Sequence, residues 1–449
     1  MPGLMEGDDR VIRNAGWLYF RLAVTTVADL LAVRLVMKAL GVSGYGLFAA
    51  VYGLTSVANL LRGVVQGTAQ RFLCFELGKE RDSDVRTVFS AALGLVAVLA
   101  FAVAGLAETG GLWFVRCVMS VPEGLSGAAE TAFHLCVAIV VLRFLRVPFA
   151  ALVIARERMR FFARISIVEA AFVLGTATAL TRVPGAGVAF YACGLLISDA
   201  VLLALFAAFA RRIEPDIGFI PRFGCGGFRE QGAFLSWSLL SPVANMLKYE
   251  GVNMLVNVFA GAPFNASWRL AMKVGSAANG FVGEYLQAAY PRIVKACAGG
   301  VADRFVLRIA RTLRWSVAFM TLCAVPGLLF TPEILGFWIG GELPPQAVAF
   351  TRCALVHFLL DSFSSPLTVA INATGRIVRY QIGVSLAMGS GFALAWAFLV
   401  RGLPPWTAFG AVALTSALAL AYRIVYLKGR VGLPVGRIFA VAFLPGVRL

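Results

Sequence analysis

Histidine is almost missing from this chain: two in 449 residues, His134 and His357, far apart in sequence. No paired-Asp motif, no glycine-rich loop ending in a phosphate-binding lysine and no Ser/His/Asp grouping can be argued from spacing, so acid/base, nucleotide-driven and triad chemistries have no visible seat. Charged residues are scarce too, at 14%. Eight cysteines are scattered singly from Cys74 to Cys353, without the paired spacing of a metal site or a disulfide framework. The chain therefore reads as no enzyme, with no metal site and no cofactor beyond possible H+ or Na+ coupling. Met1 to Arg13 reads as too acidic and irregular for a signal peptide, and with no small-residue cleavage site after the first apolar run, that run is expected to stay as a helix.

What fills the chain is apolar sequence. At 60% hydrophobic residues over this length, it is expected to be an all-α integral membrane protein. Runs of about twenty apolar residues, enough to cross roughly 30 Å of hydrocarbon, are centred near residues 25, 58, 96, 142, 174, 198, 246, 277, 318, 358, 389 and 414, giving about twelve spans. Lys and Arg alternate between connections. One set holds Arg156, Arg158, Arg160, Arg164, Arg211, Arg212, Arg292, Lys295, Arg304, Arg308, Arg376 and Arg379; the other holds little beyond Lys38, Arg116, Arg182 and Arg401. The bias places both termini on the cytoplasmic side and accounts for most of the +17 formal charge without nucleic acid.

A polar connection divides the spans into an N-lobe over 1–210 and a C-lobe over 232–431, with a cytoplasmic linker at 211–231 and an interfacial tail at 432–449. The lobes look related: Pro148-Phe149-Ala150 running to Arg158 near the end of the fourth span matches Pro366-Leu367-Thr368 running to Arg376 near the end of the tenth. Six spans per half is even, so the halves would run parallel, around a central cavity. Gly111 to Met119 is apolar but too short to cross and is expected to lie as a helix at the outer interface, with Trp113 at headgroup level.

Buried charge marks the working surface. Arg21, Asp29 and Arg34 lie in the first span and Arg62 in the second; Arg143 and Arg146 share a face of the fourth, and Arg269 and Lys273 a face of the eighth. Such groups cost about 2.5–3.5 kcal/mol each at the centre of a span, so they must face protein or water. Arg21, Arg62, Arg143, Arg269 and Lys273 are candidates to hold an anionic substrate, since arginine grips phosphate through a two-pronged fork. Asp29, Asp199, Glu250 and Asp361 are candidates for ion coupling or for charge pairing.

The first turn, Leu40-Gly41-Val42-Ser43-Gly44-Tyr45-Gly46-Leu47, resembles the multidrug/oligosaccharidyl-lipid/polysaccharide (MOP) exporter superfamily, as do Ala69-Gln70-Arg71-Phe72, Tyr290-Pro291-Arg292-Ile293 and Ala370 to Arg376. Within it the chain is most similar to O-antigen-type flippases of lipid-linked oligosaccharides. The resemblance implies alternating access between two six-helix lobes in a bacterial inner membrane. The cargo would be a polyprenyl-pyrophosphate-linked oligosaccharide for surface polysaccharide, and the partners a polysaccharide polymerase and glycosyltransferases. Similar flippases of the peptidoglycan precursor carry cavity arginines on the first, second and eighth helices, where Arg21, Arg62 and Arg269 stand, but have more spans. Cation-coupled multidrug efflux and peptidoglycan-precursor flipping are the alternatives within the superfamily.

Overall fold

The computed structural model describes residues 2–53, 55–79, 84–117, 126–183, 185–215, 217, 226–339 and 343–444. Among these the regular structure is helical throughout, and the chain forms two compact units, Met1–Leu235 and Ser236–Leu449. Much of the expected connection at 211–231, including Gly224 and Cys225, lies outside the described residues.

The first unit opens with α1 (Pro2–Gly53), two helices joined at Gly41, whose φ of 70° and ψ of 175° fall where only glycine is comfortable. The polar turn expected at 40–46 is thus a single-residue joint, and helix resumes at once. A second break follows at Thr55, whose hydroxyl donates to the Tyr52 carbonyl at 2.6 Å before α2 (Ser56–Glu76) begins. The second span therefore runs from 42 to 76 in two pieces. Asp84 caps α3 (Val85–Leu106) by accepting from the Thr87 amide at 2.9 Å. A π turn (Ala107–Gly111) then leads straight into α4 (Leu112–Cys117). The short helix expected from Gly111 to Met119 is present over Leu112–Cys117 and follows α3 without a loop, with Gly110 and Gly111 in the π turn between them. Val118 and Met119 lie outside the described residues. The unit continues through α5 (Ser126–Ala155), α6 (Met159–Arg182) and α7 (Val188–Ile213) to α8 (Gly226–Ser238), whose last residues enter the second unit.

In the second unit α9 (Leu240–Met246), a π turn (Leu247–Gly251) and α10 (Val252–Ala260) lead to Gly261, with φ 87° and ψ 179°, and then to α11 (Ala262–Ala298). There follow α12 (Ala302–Leu329), α13 (Thr331–Ile339), α14 (Ala347–Thr374), α15 (Val378–Val400), α16 (Thr407–Tyr426) and α17 (Val435–Phe443). Within the tail expected at the interface, α17 docks on α12: the Arg314 guanidinium donates to the carbonyls of Val441 and Ala442 at the end of the short helix.

The two units repeat one plan. In the first, α5 packs against α2, α3 and α7, while α1 packs on α6, α6 on α7, and α2 on α3. In the second, α14 packs against α11, α12 and α16, while α9 and α10 pack on α15, α15 on α16, and α11 on α12. Each pairing has its counterpart. The backbone agrees: Gly41 and Gly261 share one rare conformation, and the register that pairs Pro148 with Pro366 also pairs Glu157 (φ 59°) with Gly375 (φ 74°) in left-handed turns. Small residues let these helices approach, as at Ala177 and Ala192 around Phe133 in the first unit, and Ala354 and Ala411 around Trp268 and Phe409 in the second.

Each of the twelve expected centres falls in a helix, and eight stretches among the described residues are long and apolar enough to cross a membrane on that ground alone. The other four centres, near 25, 58, 246 and 277, lie in the first two helical stretches of each unit. Those stretches are less apolar because they carry Arg21, Asp29, Arg62, Lys248, Glu250, Arg269 and Lys273.

Candidate functional site

Several charged side chains of the first unit converge on one place. A cavity of about 460 Å³ opens between α1, α5, α6 and α7, walled by Arg21, Thr25 and Asp29, by Phe48 and Tyr52, by Arg143, by Ser166 and Glu169, and by Tyr191. The α1 residues Arg21, Thr25 and Asp29 recur every four positions, which puts them on one face of that helix. That face meets α6, its principal packing partner.

The two α5 arginines share a single acid. Asp199 on α7 is 3% exposed; its Oδ2 accepts from Arg143 Nε at 2.9 Å, and its Oδ1 lies 3.5 Å from Arg146 Nη1. Like charges three residues apart on a helix repel, and a carboxylate between them removes the penalty. Each arginine then reaches a second partner: Arg143 Nη1 donates to Tyr52 Oη at 2.6 Å, and Arg146 Nη2 to Glu169 Oε1 at 3.2 Å. Arg21 lies over the Phe162 ring at 5.3 Å. Arg62, on α2, sits within electrostatic reach of Arg143, Arg146, Glu169 and Tyr52, and its buried Nε has no hydrogen-bond partner among the described residues. The cluster thus sets Arg21, Arg62, Arg143 and Arg146 against Asp29, Glu169 and Asp199, four cations to three acids.

Arg269 and Lys273 belong to the second unit, where they line an open cleft of about 670 Å³ with Ala266, Met272, Ser276 and Pro344. Arg269 Nη2 meets Glu250 Oε2 at 3.2 Å, both side chains being more than half exposed. Of the four acids expected to couple or pair, Asp199, Glu250 and Asp361 each face a basic side chain, Asp361 meeting His357 at 3.5 Å. Asp29 lies at the cavity wall beside Glu169.

Spacing in the sequence could not reveal a third cluster. Lys248, fully buried on the π turn of the second unit, donates through Nζ to Ser416 Oγ at 2.7 Å; the same hydroxyl lies 2.9 Å from His357 Nδ1, and His357 Nε2 lies 2.8 Å from Tyr249 Oη. His357 is also wholly buried, against the rings of Phe358 and Phe409. The one signal available was a lysine inside an apolar span.

The chain matches no family model and no curated protein. Solved structures share its fold. One is a MOP superfamily transporter from Pyrococcus furiosus, whose reverse polarity of binding pocket is said to suggest a different function; it is 12% identical, with 96% of each chain covered and a TM-score of 0.79. A multidrug resistance MATE family transporter of the same superfamily, in an outward-facing conformation, gives 12%, 96% and 0.79. A MATE in the bent conformation gives 15% identity over 97% of this chain and 96% of that one, with a TM-score of 0.76. At such identities the likeness shows the fold, that of MATE transporters of the MOP superfamily.

Proposed function

We propose that the protein is a membrane exporter of MATE-like fold whose first unit receives the anionic headgroup of a lipid-linked, polyprenyl-pyrophosphate oligosaccharide. The observation that supports this reading is a cluster in which Arg21 and Arg143 line one cavity with Asp29 and Glu169, while Arg62, Arg146 and Asp199 adjoin them behind its wall, four guanidinium groups to three carboxylates. Moving a pyrophosphate through low dielectric without counter-charge would be prohibitive, and guanidinium groups supply that charge with matched geometry. The reading gives the phosphate contacts to Arg21 and Arg143, which line the cavity, and to Arg62 beside them. Arg269 and Lys273 add positive charge on the second unit, and the reading assigns them to acidic sugars.

The MATE neighbours favour a second reading, multidrug or other small-molecule efflux, here of cationic compounds. Asp29 and Glu169 stand in the same cavity with Phe48, Tyr52 and Tyr191, as carboxylate and ring faces suited to a cation would. Reconstitution separates the two. Proteoliposomes are assayed for outward movement of a polyprenyl-pyrophosphate oligosaccharide and, separately, of ethidium. The first reading expects glycan movement, lost at least tenfold in Arg21→Ala and in Arg62→Ala with protein levels unchanged. Ethidium movement that survives both substitutions and fails in Asp29→Asn, with no glycan movement, would establish the second reading and overturn the first.

A further inference from the structure

The buried cluster of the second unit is a continuous chain of side chains within hydrogen-bond distance. A lysine ammonium only donates, and Lys248 Nζ donates to Ser416 Oγ at 2.7 Å. The hydroxyl keeps one proton, and its other neighbour is His357 Nδ1 at 2.9 Å. The hydroxyl has two lone pairs, so it can donate that proton to Nδ1 or accept from an Nδ1–H as well; the first arrangement, with the imidazole proton on Nε2, is the starting state of the proposal below. Nε2 in turn faces Tyr249 Oη at 2.8 Å and Asp361 Oδ2 at 3.5 Å. Asp361 is the end that reaches outward, with a side chain 23% exposed, while Lys248, Ser416 and His357 have no exposure at all.

We propose that Lys248, Ser416, His357 and Asp361 form a proton wire, in which Lys248 holds one removable proton deep in the second unit and Asp361 exchanges it with the surface. The transfer balances as a concerted shift. One N–H bond of the Lys248 ammonium breaks as its proton passes to Ser416 Oγ; the Ser416 proton passes to His357 Nδ1; the Nε2 proton leaves to the Asp361 carboxylate, which releases it. Afterwards Lys248 is a neutral amine accepting from Ser416, His357 carries its proton on Nδ1 and donates to Ser416, and Nε2 accepts from the Tyr249 hydroxyl. Tyr249 serves both states because its oxygen can accept or donate. No oxidant or co-reactant is needed.

The surroundings fit a site that must hold charge only part of the time. A permanently charged buried ammonium facing one neutral hydroxyl would be costly. Asp361 supplies a carboxylate within electrostatic reach of Lys248, whereas Arg423, on the same helix as Ser416, opposes it. Arg423 is held through Nε by Tyr380 Oη at 3.0 Å, and Glu250, beside Lys248 on the π turn, is turned to Arg269. Cys353 lies one turn before His357 on α14, and α15 presents Gly391, whose added Cβ would stand 3.7 Å from Lys248 Cγ. That occupancy of this wire drives export rests on the function proposed above; the wire itself does not.

The chain has only two histidines, so nitrogen spectroscopy can read His357 directly. The full chain carrying His134→Gln is labelled with ¹⁵N-histidine, placed in lipid vesicles, and taken from low to high pH in solid-state NMR. A single step from the Nε2–H to the Nδ1–H tautomer is expected as Lys248 loses its proton. Lys248→Met and, independently, Ser416→Ala should each leave one tautomer throughout, and Asp361→Asn should slow the step at least tenfold after a pH jump. One tautomer at every pH with Lys248 intact, or a step that survives Lys248→Met, overturns the wire. So does an imidazolium signal at low pH, which would put the stored proton on His357. The readout involves no transported substrate, so its failure and a failure of the export reading are told apart.

Discussion

Asp199→Asn is the sharpest test of how the first unit carries its charge. The carboxylate is 3% exposed and lies 2.9 Å from Arg143 Nε and 3.5 Å from Arg146 Nη1. The amide keeps the shape but removes the charge, leaving two guanidinium groups three residues apart on α5, with Tyr52 on one and Glu169 on the other. Breaking a buried ion pair by removing one partner costs about 3–5 kcal/mol. At about 2–4 °C per kcal/mol for a soluble domain of similar size, the unfolding midpoint should fall by roughly 6–20 °C. Thermal unfolding of the full chain in lipid nanodiscs, followed by the fraction surviving size-exclusion chromatography, measures it. In a background of Arg143→Met with Arg146→Met, the same substitution should change sign, since it then removes an uncompensated buried carboxylate. A midpoint within about 1 °C of the parent, or an equal loss in both backgrounds, would refute the reasoning.

Gly41→Ala and Gly261→Ala should each cost about 1–3 kcal/mol through backbone strain alone. An added Cβ meets nothing within 4 Å at Gly41 and only Pro263 Cδ at 3.8 Å at Gly261, so Gly280→Ala, equally uncrowded on an ordinary helix, serves as the neutral control in the same unfolding assay. Arg314→Ala should release α17 from α12, seen as faster amide hydrogen exchange over Val435–Phe443 with exchange in α14 unchanged; unaltered exchange over α17 would show that the two carbonyl contacts do not hold it.

Much of the plan could be read from periodicity and punctuation. Apolar runs placed the helices, and Pro148 and Pro366 set the register in which Glu157 and Gly375 turn out to share a left-handed turn. Arg143 and Arg146, three apart, demanded an acid, and Asp199 supplies it from 56 residues away. The short helix after the third span stands at Leu112–Cys117, but its direct junction with α3 through a π turn had no mark in the sequence. The proton wire was illegible for a plainer reason: its hydrogen bonds join residues 168, 59 and 108 positions apart, and nothing local to Lys248, Ser416 or His357 marks them as neighbours.

Pro148 and Pro366 carry a mechanical consequence. Each lies inside the helix that touches most of its unit, α5 or α14, and neither has an amide hydrogen to offer the carbonyl one turn back, at Phe144 and at Ser362. The central column of each unit is therefore weakest at one matched level, near the end that carries the left-handed turn. Bending energy applied to either column concentrates there, leaving the longer stretch before the proline to move as a stiff rod.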